Sequence, residues 1–385
     1  MRNRMRSPSK ALRLTLAAGL FALLISSDEL SSQAAPSDAI RPKLVLEIGR
    51  DHDNDDFVMM RVSHVAAARD GRIYVLDIGE PDVKVFNAAG RYVRSIGRSG
   101  AGPGEFTHPG SLRLTDKSVI VGDFMQGRSI TFTLEGKHLA TRRYKTAAAH
   151  APGHLVHELR GGSALLIMAP HITNRRDSEI ADLYAKIVFK PAADTPADTL
   201  LRIRGNIALR RRKNEWISNM MNAGVGEGGA WALHGDSILA LVDGYRGDIR
   251  WLRLTGNSAT VFRTAKLPGS AQPVTQEDIA RAERQFRREV PAYENIALDI
   301  SDFPSHRSLA STAVFADDGS LWLAPHRTDA DITAWTVYPR SIGRSFLVLM
   351  PSTFTLSSIR DGRLYGYAMS SDETPVVQVY RMPDT

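Results

Sequence analysis

Short runs of alternating apolar and polar residues recur along this chain, and six of them begin the same way. A turn pair of Asp/Gly type is followed at once by an apolar strand. It stands as Asp70-Gly71 before RIYVLD, Asp116-Lys117 before SVIVGD, and Gly161-Gly162 before SALLIMAP. It returns as Gly235-Asp236 before SILALVD, Asp318-Gly319 before SLWLAP, and Asp361-Gly362 before RLYGYA. Alternation with period two marks a half-buried strand, and turn residues at its start mark a hairpin. The copies are spaced by roughly 45 residues, the length of one four-stranded propeller blade, with longer insertions between the third, fourth and fifth.

The pattern therefore predicts an all-β chain folded as a six-bladed β-propeller with four-stranded antiparallel blades; five or seven blades are the alternative counts. The first two copies divide readily into four strands each. The sixth copy runs out after VVQVYRM, its third strand, and KLVLEIG at 43–49 is the natural fourth. Pairing the two ends of the chain would close the ring and remove two exposed strand edges. One segment breaks the pattern. Over 275–290, Thr275 and Asp278 resemble a capping box, Ile279, Ala282, Phe286 and Val290 share one helical face, and Pro291 ends the run. This predicts a helix inserted between the fourth and fifth blades.

The N-terminus belongs to a different class. Five basic residues between Arg2 and Arg13 precede the apolar run LTLAAGLFALLI, too short for a membrane span of roughly 20 residues. A basic head, a short apolar core and the small residues around Ala34 form a secretory signal over 1–34, leaving a single propeller domain over 35–385. The expected location is periplasmic or secreted, with no membrane span after cleavage. Removing 1–34, with its five basic and two acidic residues, lowers the formal charge from +7 to +4. That mild balance, together with export, argues against a nucleic-acid partner. The chain has no cysteine, which excludes disulfides, thiol nucleophiles and thiolate metal sites.

The run over 96–137 resembles the NHL-repeat signature of TolB-like exported propellers. Its glycine loop, aromatic, strand-terminal Asp, Arg and closing Phe and Gly fall to Gly97, Gly100, Gly102, Gly104, Phe106, Asp123, Arg128, Phe132 and Gly136. The preceding blade matches at Asp77, Val85, Phe86 and Gly90. Gly100, Gly102 and Gly104 are expected to supply positive φ, Phe106 to pack between neighbouring sheets, and Glu105 to accept backbone N–H bonds.

The resemblance implies that the loops joining the second to the third strand of a blade, and one blade to the next, share a ligand-binding face. On this mapping His64, His108, His154, His171, His326, Arg128 and Arg246 lie towards that face. Neutral imidazoles ligate zinc, so His64, His171 and His326 are candidate metal ligands. The first-strand positions matching His64 in other blades are Gly110, Leu155, Gly229, Thr312 and Thr355, which do not repeat it. Asp51 to Asp56 alternates carboxylates like a calcium loop but lacks the Gly and Glu of an EF-hand. Arg210 to Lys213 and the arginines of 281–288 could form a positive rim. No complete catalytic constellation is recognisable. The reading is a monomeric, non-catalytic module binding a protein, peptide or glycan. The alternative is a metal-dependent lyase or hydrolase with histidine ligands at the channel mouth, and the candidate cofactor is a divalent metal, zinc or calcium.

Overall fold

The computed structural model describes residues 39–49, 57–123, 126–144, 154–159, 163–168, 184–190, 198–204, 229–256, 258–289, 305–325, 331–341 and 343–383. Within them the chain forms six four-stranded antiparallel sheets. The strand β1 (Lys43–Ile48) comes first and belongs to the last blade. Blade one is β2 (Val62–Ala67), β3 (Ile73–Asp77), β4 (Asp82–Phe86) and β5 (Tyr92–Ile96). A two-stranded ribbon, β6 (Arg98–Ser99) with β7 (Glu105–Phe106), leads to blade two. That blade holds β8 (Pro109–Leu114), β9 (Ser118–Asp123), β10 (Arg128–Thr133) and β11 (His138–Arg143). Blade three is β12 (His154–Glu158), β13 (Ala164–Met168), β14 (Tyr184–Lys190) and β15 (Asp198–Arg204). Blade four is β16 (Gly229–His234), β17 (Ile238–Asp243), β18 (Asp248–Thr255) and β19 (Ser258–Lys266).

The expected helix follows as α1 (Gln276–Glu289). Its capping box is complete: the Thr275 amide donates to Asp278 Oδ2 at 2.8 Å, and the Asp278 amide donates to Thr275 Oγ1 at 3.3 Å. Blade five then holds β20 (Thr312–Phe315), β21 (Leu321–Ala324), β22 (Ile332–Tyr338) and β23 (Phe346–Pro351). Blade six has β24 (Thr355–Arg360), β25 (Arg363–Met369) and β26 (Pro375–Arg381), and β1 pairs with β26 as its outer strand. The N-terminal segment reaches further still. Ile40 donates to Leu347 O at 2.9 Å and accepts from the Leu349 amide at 2.8 Å, so it fastens blade six to blade five.

The core lies between blades, not within one. Alternate residues of β3 point to opposite neighbours: Ile73 and Val75 pack with Val377 and Val379 of blade six, while Tyr74 and Leu76 pack with Val119 and Val121 of blade two. Middle strands are therefore buried on both faces, as all five residues of β3 and of β4 are. Outer strands have a free edge and an exposed character, as in β11 and β19. Equivalent apolar clusters join blades three and four, four and five, and five and six.

The two faces of the ring differ in their connections. Turns joining first to second and third to fourth strands are never longer than seven residues. The connections on the other face include 49–61, 169–183, 205–228 and 267–311. Among the described residues no helix is long and apolar enough to cross a membrane.

Candidate functional site

Each second strand that ends in aspartate uses it to organise the long-connection face. Asp77 closes β3 and is fully buried. Its carboxylate accepts the amides of Met60 at 2.7 Å and Arg61 at 2.9 Å, from the connection that enters blade one. It also accepts the Gly79 amide at 2.9 Å from its own turn. Burial pushes this carboxyl upward, but the three amides and the Lys84 ammonium outweigh it and hold it below the usual range. Lys84 also bonds Asp82 Oδ1 at 2.7 Å; Asp82, with fewer donors, is raised by its burial.

Asp123 repeats the arrangement in blade two. It accepts the amides of Thr107 and His108, each at 3.0 Å, and the Thr107 hydroxyl at 2.9 Å. Arg128 takes the place of the lysine, donating to Asp123 Oδ2 at 3.0 and 2.9 Å through Nε and Nη2. Its remaining hydrogens reach the carbonyls of Ala101 and Glu105, each at 3.0 Å. Arg128 is only 1% exposed. Arg128 thus braces the glycine loop from inside and is not presented to a ligand, contrary to its expected place on the binding face. In blade four Asp243 accepts the amides of Tyr245 and Arg246, at 3.1 and 2.9 Å, and shapes its own turn.

The other expected face residues are dispersed. His64 lies on the innermost strand of blade one, half-buried, its Nδ1 3.3 Å from Ser63 Oγ. Burial pushes its imidazole down to about 4, so it is neutral. His108 is exposed just before β8, and Arg246 is exposed in the blade-four turn. His154 begins β12, with its side chain outside what is described; His171 and His326 lie outside the described residues, as do 51–56 and 210–213. Among the described residues no three His, Asp or Glu side chains are placed to hold a metal ion.

The glycine loop is built largely as expected. Phe106 is fully buried against Phe132, ring centroids 5.8 Å apart, and Glu105 accepts the Gly102 amide at 2.8 Å. Gly97, Gly100 and Gly104 have positive φ, but Gly102 does not; its small size instead allows Glu105 to fold back over it.

Sequence reasoning missed a cavity on the opposite, short-turn face. The ends of the innermost strands of all six blades surround it, placing it in the central channel, with a volume of about 820 Å³. Arg69, Arg113, His157, His234, Arg360 and Asp361 supply its polar lining. Its apolar surface includes Leu112, Leu114, Phe315 and Ile359. Arg113 crosses three blades, donating to the Glu158 carbonyl of blade three and the Asp236 carboxylate of blade four. Burial, with Arg113 nearby, drives His157 down to about 3, and its Nε2 is buried with no hydrogen bond among the described residues. His234 is also lowered by burial and stands 5.4 Å from the Phe315 ring. The signal for this cavity was weak because its lining comes from turns that look alike in every blade.

Comparison with known proteins agrees with the architecture. The DUF5128 family model, described as a 6-bladed beta-propeller, matches residues 52–157. A DUF4221-family protein from Bacteroides vulgatus superposes with TM-score 0.50 at 8% identity, over 90% of this chain and 99% of that one. A Bacteroides fragilis protein inferred to be exported gives TM-score 0.45 at 14% identity, over 89% and 94% of the two chains. A gluconolactonase from Xanthomonas campestris gives TM-score 0.45 at 9% identity, over 85% and 87%. No curated protein sequence matches the chain. Likeness at such identities concerns fold alone. What the sheets and the matched segment establish together is an all-β chain, folded as a six-bladed β-propeller.

Proposed function

We propose that this chain is an exported, non-catalytic binding module that recognises a protein, peptide or glycan through its long-connection face. One observation carries the reading: the asymmetry between the faces. A propeller closes equally well with short turns on both sides, so connections such as 205–228 and 267–311 are not needed by the ring. Long loops on a rigid scaffold are where recognition is usually placed. The strand-terminal aspartates support it, because Asp77 and Asp123 spend their oxygens on fixing the approach to the face, not on chemistry.

The test is an array of glycans and peptides probed with protein purified from cells expressing the full chain. The same array is then probed with a variant whose residues 207–226 are replaced by a short Gly-Ser linker. Specific binding that is lost in a variant of unchanged melting temperature is the expected result. Binding that survives the replacement would move recognition elsewhere. Stoichiometric zinc in the wild-type protein, lost in His171→Ala and His326→Ala, would overturn the non-catalytic reading in favour of a metal-dependent lyase or hydrolase.

A further inference from the structure

We infer that the short-turn mouth of the central channel is a second binding site, for the end unit of a neutral saccharide. The inference stands apart from the long-connection face and does not depend on it. Most polar groups at the mouth are already used. Arg113 is committed to Glu158 O and Asp236, and Arg69 pairs with Asp116 at 2.9 Å. Ser358 donates to the Val65 carbonyl at 2.9 Å, and the Asp317 carboxylate accepts the Asp361 amide at 3.2 Å. Arg360 and Asp361 differ: neither side chain has an ion pair or hydrogen bond to a described residue, and both line the cavity.

These two consecutive residues offer a donor and an acceptor at one rim. Arg360 ends β24, and Asp361 with Gly362 makes the two-residue turn into β25 at φ 49° and 68°, the ordinary use of an Asp-Gly pair in a hairpin. The turn is held by the bridge between Ala316 and Ile359 and by the Asp361–Asp317 bond. A guanidinium and a carboxylate lining the same cavity suit vicinal hydroxyls, one donating and one accepting.

Charge selects against the obvious alternative. An anionic ligand would meet Asp361 and Asp317 on the same rim, and the arginines able to offset them are paired, except Arg360. The two histidines that line the cavity are held towards the neutral form, so they add no positive charge at neutral pH. Beneath the polar rim, Leu112, Leu114, Phe315 and Ile359 provide an apolar surface for the C–H face of a sugar ring. The volume, about 820 Å³, falls in the ordinary range for small-ligand sites, roughly 300–1,000 Å³.

Saturation-transfer NMR tests this with protein from the full-length chain. The probes are glucose, galactose, N-acetylglucosamine and their β-linked disaccharides, with gluconate and glucuronate as anionic comparators. A neutral sugar should give transfer, and both Arg360→Ala and Asp361→Asn should weaken it at least tenfold. Asparagine keeps the left-handed turn, so the second variant separates lost recognition from lost folding. The Gly-Ser replacement of 207–226 should leave the signal intact, which distinguishes this site from the long-connection face. Transfer to no neutral sugar, preference for the anions, or signals unchanged in both rim variants would overturn the assignment.

Discussion

Asp123 and Arg128 face each other at the first paired position of the β9–β10 hairpin, and their charged groups meet at 2.9 Å with almost no solvent exposure. The aspartate gathers two amides and a hydroxyl from the connection into blade two, and the arginine gathers two carbonyls from the glycine loop. Breaking a buried pair leaves an uncompensated charge, at a typical cost of about 3–5 kcal/mol. Arg128→Met and Asp123→Ala should each destabilise by that order in urea denaturation. The double variant should cost clearly less than the two together, because no lone charge is left inside. Simple additivity would show that the two residues act independently.

The ring is closed by a short latch. Ile48 is buried against blades one and six, and Ile40 bonds to blade five. Deleting 39–48 would leave β26 as an unpaired edge carrying Val376, Val377 and Val379. Exposed edges recruit other strands. The deletion should therefore lower the melting temperature and produce self-association visible by light scattering. Ile48→Ala, a milder change, should cost about 2–4 kcal/mol without adding self-association. A deletion variant with unchanged light scattering and melting temperature would show that the latch is dispensable.

Much of this fold was legible in the chain because the blade period repeats its turn chemistry six times. The ring-closing strand was legible for the complementary reason, that the sixth copy was one strand short. Less of the candidate site was. Asp123 and Arg128 are five residues apart and carry the look of a binding loop, yet the pleat turns Arg128 inward. Arg113 and Asp236 are 123 residues apart in sequence, and nothing local signals that they meet. Periodicity reports which face of a strand is buried, not which blade lies opposite it.

Two glycines of the same loop should behave differently. Gly97 has φ 74°, and a methyl group there would overlap the Phe106 ring that fills the space between blades one and two. Gly102 has ordinary φ, and a methyl group there would approach the end of the Glu105 side chain at 2.9 Å. A carboxylate tip can move, whereas a buried ring and a left-handed backbone cannot. Gly97→Ala should cost about 2 kcal/mol or more, through strain and overpacking, and Gly102→Ala under about 1 kcal/mol. Chemical denaturation ranks them directly. Equal costs would mean that the whole loop, not the Phe106 seat, limits stability.

His64 and His157 should make the ring acid-sensitive well above the range where its carboxylates titrate. Burial lowers His64 to about 4, and burial with the nearby Arg113 charge lowers His157 to about 3, both from an ordinary 6.5. The unfolded chain therefore binds protons that the folded one refuses, and stability falls as pH drops below 6.5 towards those values. Each group should remove about 1.36 kcal/mol per pH unit in that window, or about 2 kcal/mol by pH 5. Asp77 and Asp123, with lowered carboxyl values, withdraw their own stabilisation only as pH falls through the ordinary aspartate value of 3.8 and below. The two effects thus separate between pH 7 and 5. His157→Leu removes one titrating group and also a buried imidazole nitrogen with no partner among the described residues. Its stability relative to wild type, measured by urea midpoint, should improve steadily from pH 7 to 5. A difference that stays constant over that range would mean His157 titrates normally in the fold and is not held neutral by its surroundings.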